Sequence, residues 1–215
     1  MEEISFQFSI FNFQLIASFL MLAIALTLMP GPDILFVITQ SIRQGKKAGI
    51  VFALGLCAGL IFHIAAITLG VSALIKSSPT AFLVLKVAGA TYLFYLGIKV
   101  FLSRNESSFV IEEGKKEEGN LFRKGVLMNI LNPKVILFFL SFFPSFVKVE
   151  AGYPALQMCF LGLLFIIQAF VIFSLVAVLA SRLTNLLMKN PKSAFWVNII
   201  TAIIYFIIGI SILFV

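Results

Sequence analysis

Charge is what this sequence has least of. Charged residues make up 12% of its 215 positions, against about 25% in soluble domains, which leaves too little polar surface to clothe a water-soluble fold. Histidine occurs once, as His63, and cysteine twice, as Cys57 and Cys159. The two cysteines lie in separate apolar runs with no CxxC or other ligand spacing, so they read as small packing residues. One imidazole and no carboxylate cluster give no expected metal site. There is no HExxH and no evident nucleophile–base pair, so an intramembrane enzyme is not expected, and no cofactor is implied. The opening "MEEISFQFSIFNFQ" has two glutamates and no basic residue, the wrong start for a secretory signal, so the first apolar run is expected to be retained.

What is present is apolar: 61% of the residues are hydrophobic and the mean hydropathy is +1.11. These values predict an all-α integral membrane protein in one transmembrane domain over 1–215. Runs and breakers divide the chain into six segments, at about 13–38, 48–75, 80–102, 125–147, 154–181 and 195–215, each long enough for a span of about 20 residues. The only long polar stretch, 103–122, separates a first half of about 13–102 from a second of about 123–215. The net charge of +7 sits in short loops without aromatic interleaving, which speaks against nucleic acid. Arg43, Lys46 and Lys47, then Lys99, Arg104, Lys115, Lys116, Arg123 and Lys124, then Arg182, Lys189 and Lys192 fall on one side of the expected membrane. Only Lys76 and Lys148 fall on the other. The first side is therefore expected to be cytoplasmic and both termini external.

Two apolar runs are interrupted. "TLMPGPDILF" places Pro30, Gly31, Pro32 and Asp33 inside the first; "NILNPKVILFF" places Asn132, Pro133 and Lys134 inside the fourth. Proline in a helix interior removes a donor and clashes with the preceding turn, at about 3 kcal/mol, so both helices are expected to break. The breaks fall at corresponding places in two three-span halves, which predicts a 3+3 inverted repeat with helices 1 and 4 broken. Asp33 and Lys134 each directly follow the proline that opens a half-helix. Opposite charges at matched positions suit the ammonium and carboxylate of a zwitterion. The alternatives are that Asp33 caps its helix and that Lys134 forms a structural pair with Asp33 or with freed carbonyls. Asn132 either contributes to the site or satisfies the broken turn.

"GLCAGLIFH" sets Gly55, Gly59 and His63 on one helical stripe, the glycines suiting close approach of a neighbouring helix. His63 is a candidate proton relay or an interhelical hydrogen bonder. Lys86 lies near a span end, where snorkelling accounts for it, and Gln168 is expected to make an interhelical bond.

With these residues in view, the sequence resembles the LysE/RhtB family of bacterial amino-acid exporters. The resemblance rests on "MPGPDILFV", "GKKAGIVFALGLCAGLIFH", "LKVAGATYLFYLGIKVF" and "FRKGVLMNILNPKVILFFLSFFPSFV", in that order. It implies proton-coupled efflux of amino acids or derivatives by a six-span protein of the bacterial inner membrane, and maps signature positions onto Pro30, Gly31, Pro32, Asp33, Gly45, Gly49, Gly55, Gly59, Asn129, Asn132, Pro133 and Lys134. The expected partners are an amino-acid-like substrate, H+ and membrane lipid, with a homodimer as the candidate assembly. An exporter of another small solute or a cation on the same plan is the competing reading, although the spans hold few carboxylates for a divalent ion.

Overall fold

The computed structural model describes residues 13–77, 79–103 and 120–187, together with positions 199, 202, 203, 206, 207 and 210. The described residues form helices and their connections, with no strand among them. We label the α-helices α1 (Phe13–Leu28), α2 (Pro32–Gln44), α3 (Lys46–Ser77), α4 (Pro79–Leu102), α5 (Leu121–Ile130), α6 (Pro133–Leu137) and α7 (Pro154–Leu187). Helix α6 runs on through one π-helical turn, Phe138–Phe142, and a 3-10 turn, Phe143–Phe146. The termini, most of the expected polar loop and most of the expected sixth span lie outside the described residues.

The outer surface is apolar. On α7, Leu163, Ile167, Val171, Leu175 and Leu179 recur every fourth residue and are each at least half exposed. Such a stripe suits hydrocarbon and no aqueous surface. Its opposite face carries buried Leu161, Phe165, Ala169, Phe173 and Ala177. Two helices are long and apolar enough to cross a bilayer, over Lys46–Gly70 and Pro154–Arg182. The pairs α1–α2 and Leu121–Ile130 with Pro133–Phe146 reach that length together, bent by 57° and 46° at their breaks. Length and composition therefore support two to four spans among the described residues.

Both bends sit where the prolines are. Pro32 and Pro133 each occupy the first turn of the helix they open, where a missing N–H costs nothing. Helix α2 does not stop where the apolar run ends near Ile38. It continues to Gln44, because Gln40 and Ser41 are buried, with the Ser41 hydroxyl donating to Val37 O at 2.6 Å. Gly45 then turns the chain with φ of 84°, a conformation that favours glycine.

Helix α3 is the spine, packing against α5, α7 and α2. Its crossing with α5 is a backbone contact. A methyl on Gly55 would collide with Phe122 O, and one on Gly125 with Phe52 O. Next to this crossing lies an aromatic core. Phe19 of α1 meets Phe143 and Phe146 edge-on at 5.5 and 5.3 Å, and Phe165 of α7 touches Phe19, Phe138 and Phe139. The wide π-helical turn places Phe138, Phe139 and Phe142 all in this interior.

Candidate functional site

The two breaks are brought together, and each leaves a carbonyl without its helical donor. In a continuous helix Leu26 O would accept from position 30, but Pro30 has no N–H. The Lys134 ammonium donates to it instead, at 3.2 Å, and also to Met29 O at 3.2 Å. The same ammonium lies 3.0 Å from Asp33 Oδ1 and 2.8 Å from Oδ2. In the second break Asn129 O has lost the donor that Pro133 cannot supply. It accepts from Asn132 N at 3.0 Å and from His63 Nε2 at 3.1 Å. A carbonyl only accepts, so this bond keeps a proton on Nε2. Each broken turn is thus completed by a side chain from another helix, as burial away from water demands.

Helix ends reinforce the pair. The ammonium faces the carbonyl end of α1 and Asp33 stands in the first turn of α2, so each charge meets the favourable end of a helix dipole. Both side chains are only 2–4% exposed. Gly31 is in extended backbone, open to any residue, so space is what requires glycine there. A Cβ would sit 2.7 Å from Asp33 Oδ1 and 3.2 Å from Lys134 Nζ. Asn132 caps α6 by accepting the Lys134 N–H on Oδ1 at 3.0 Å, while its Nδ2 is buried without a partner.

Beside the ion pair is a cavity of about 10 Å³, close to the least that holds one water. Asp33, Lys134, Thr27 and Asn129 supply its polar lining; Leu26, Leu60, Val135, Phe165, Ala169 and Phe173 supply the rest. Asn129 Oδ1 is buried and has no hydrogen-bond partner. Adjoining the cavity, Gln168 Nε2 donates to Thr27 Oγ1 at 3.0 Å, tying α7 to α1.

Asp33, Lys134, Asn132 and the prolines therefore meet at one corner. His63 is one carbonyl away: it is stacked on Phe139 at 5.7 Å and does not line the cavity. Gly55 and Gly59 form the α3 face on which α5 lies; a Cβ on Gly59 would sit 2.7 Å from Asn129 Cβ. Reasoning from residue types missed Asn129 as a cavity residue, along with Thr27 and the apolar walls. Asn129 stands among the family's signature positions, and Gln168 was visible as a lone amide in an apolar run. Thr27 carried no signal, since threonine bonds its own helix, here Ala23 O at 2.8 Å. No cluster of three or more His, Cys, Asp or Glu that could hold a metal occurs among the described residues.

An apolar helical exterior around two broken helices, sealed by a buried ion pair, defines a helical membrane protein of the broken-helix type. Sequence comparison refines this. Residues 24–214 match the model of the LysE type translocator family. The chain is 36% identical over 174 residues to an uncharacterized membrane protein of Pseudomonas aeruginosa, covering 79% of this chain and 76% of the relative. It is 30% identical over 178 residues to proteins named leucine efflux protein from Salmonella choleraesuis and Salmonella typhimurium, covering 82% of this chain and 84% of each relative. No solved structure matches significantly. The chain belongs to the LysE type translocator family and is a transporter rather than an enzyme.

Proposed function

We propose that this protein is a secondary transporter that exports amino acids or their derivatives across the bacterial inner membrane, coupled to the proton gradient, with its substrate site at Asp33 and Lys134. The observation that carries the reading is the buried ion pair bridging two proline breaks beside a small, mostly apolar cavity. A zwitterion offers the same two charges in complementary order, so its ammonium replaces Lys134 on Asp33 while its carboxylate takes Lys134. The pair must open to load, and it closes again once the substrate has left. Leu60, Phe165 and Phe173 favour an apolar side chain, in keeping with the leucine efflux relatives. Six spans in a 3+3 inverted repeat, with the basic loops inside and both termini outside, give the two-fold frame for alternating access. His63 is the candidate proton carrier, since it is the chain's one imidazole and holds the second break through Asn129 O.

The test is efflux from vesicles or cells loaded with a panel of amino acids. Expression should accelerate loss of apolar amino acids, leucine among them, and collapse of the proton gradient should slow it. Equal loss with and without the protein across the panel would refute the reading.

A further inference from the structure

The Lys134 ammonium is held as a ligand would be. Its partners are two backbone carbonyls and one carboxylate, with oxygens at 2.8–3.2 Å, and they come from the opposite half of the chain. Three acceptor groups match the three N–H bonds of a primary ammonium. Two of the acceptors are main-chain atoms whose positions are set by the break at Pro30, so this oxygen cage belongs to the α1–α2 corner and not to the lysine. If Lys134 left, Leu26 O and Met29 O would again lack their donors, and an incoming ammonium would restore both bonds together with the charge beside Asp33.

We propose that this cage is a receptor for primary ammonium groups and that Lys134 is its tethered occupant in the empty protein. Loading then exchanges one primary ammonium for another, at nearly constant charge and hydrogen bonding within the cage. This rests on the reading of the corner as the transport site and deepens it by naming the recognised chemistry: a primary ammonium rather than positive charge alone. Two observations outside the ion pair point the same way. Asn129 Oδ1, 2% exposed at the residue level and without a partner, lines the same cavity and offers an acceptor that Lys134 does not use. Gly31 keeps the space beside Asp33 Oδ1 and Lys134 Nζ free of a side chain. The apolar walls next to the cage are where the carbon skeleton of the incoming amine would lie.

The exchange has a consequence for selectivity. N-methylation retains the charge but removes donors, so each added methyl should leave one cage oxygen unpaired. A quaternary ammonium should be excluded, although its charge is unchanged.

The test uses the purified full chain with Lys134→Ala. Removal of the lysine beyond Cβ leaves a space whose missing atoms n-propylammonium reproduces. Thermal melting of this variant should rise saturably with n-propylammonium and not with propyltrimethylammonium, and the wild type should bind n-propylammonium at least tenfold more weakly because its own lysine fills the cage. No stabilisation, equal stabilisation by the quaternary ion, or equal affinity in both proteins would overturn the receptor. If the variant is recovered in low yield, adding n-propylammonium throughout purification should restore folded protein; yield indifferent to the amine counts against the proposal. A last arm adds leucine to the amine-loaded variant. Because the variant lacks the lysine that takes the carboxylate, leucine is raised to about a hundredfold excess; in a chain that exports leucine, competition identifies cage and transport site as one, and its absence at that excess separates them. A chain that exports no amino acid defeats the transport reading, while the n-propylammonium result still decides the cage.

Discussion

Asp33 and Lys134 have both given up water, and the contact between them stands in for it. Removing one partner of such a pair strands the other, at a typical cost of about 3–5 kcal/mol. Asp33→Asn and Lys134→Met should each lower the folded fraction measurably in a melting or proteolysis assay, and their transport must be compared per folded molecule. Lys134→Arg should not substitute. The compact cage suits three diverging N–H bonds, and a planar guanidinium cannot meet two backbone carbonyls and a carboxylate in the same way. We expect export by the arginine variant to fall at least tenfold, whereas near-wild-type export would show that positive charge alone suffices. His63→Gln is the complementary case. Glutamine retains an N–H donor for Asn129 O but exchanges no proton near neutral pH, so folding should persist while the response of efflux to the proton gradient disappears. An unchanged response assigns the coupling proton elsewhere. At this scale the charged residues were legible because a charge in an apolar run needs a reason. Asn129 and Thr27 were not, because small polar residues bond locally in many helices and only the fold shows which of them faces a cavity.

At the scale of elements the prolines do most of the shaping. Replacing both Pro30 and Pro32 by alanine restores the missing donors and permits a straight helix, which removes the corner that orients Leu26 O and Met29 O. Membrane insertion should survive and export should fall; wild-type efflux from the double alanine variant would place the site elsewhere. The α3–α5 crossing makes a second demand. A side chain at Gly55 must push α5 away by an ångström or more, since backbone atoms rather than flexible tips stand in its place. Gly55→Leu should therefore destabilise by about 1–3 kcal/mol, read as a lower melting temperature; an unshifted melting temperature would mean that the helices do not touch there. The breaks themselves were readable from Pro30, Pro32 and Pro133. The run of α2 to Gln44 was not, because Gln40 and Ser41 look like a polar exit from a span until their burial is seen. The π-helical turn at Phe138–Phe142 was equally hidden, since a row of phenylalanines has no period that distinguishes it from an ordinary helix.

Across the whole molecule, the apolar exterior and the matched breaks were visible in the sequence because a bilayer tolerates few alternatives to helices and makes each polar interruption conspicuous. Which helices touch was less visible, because apolar residues facing lipid and apolar residues facing protein look alike; Leu163 and Leu161 differ in surroundings and not in type. The proposed orientation rests on lysine and arginine placement. A single cysteine at position 108, with Cys57 and Cys159 replaced, should react only with reagents that cross the membrane, and labelling by an impermeant reagent in intact cells would reverse the assigned direction. The central claim is that the Asp33–Lys134 centre handles substrate rather than merely holding the halves together, and the variant carrying both Asp33→Asn and Lys134→Met tests it most directly. With neither charge stranded, the protein should regain part of the folded yield that each single change loses, although Leu26 O and Met29 O still lack the lysine's N–H bonds. Loss of a charge-assisted contact worth about 1.5–3 kcal/mol should weaken substrate binding roughly ten- to hundredfold, leaving efflux per folded molecule close to that of empty vesicles. A double variant that folds and exports at the wild-type rate would contradict the account.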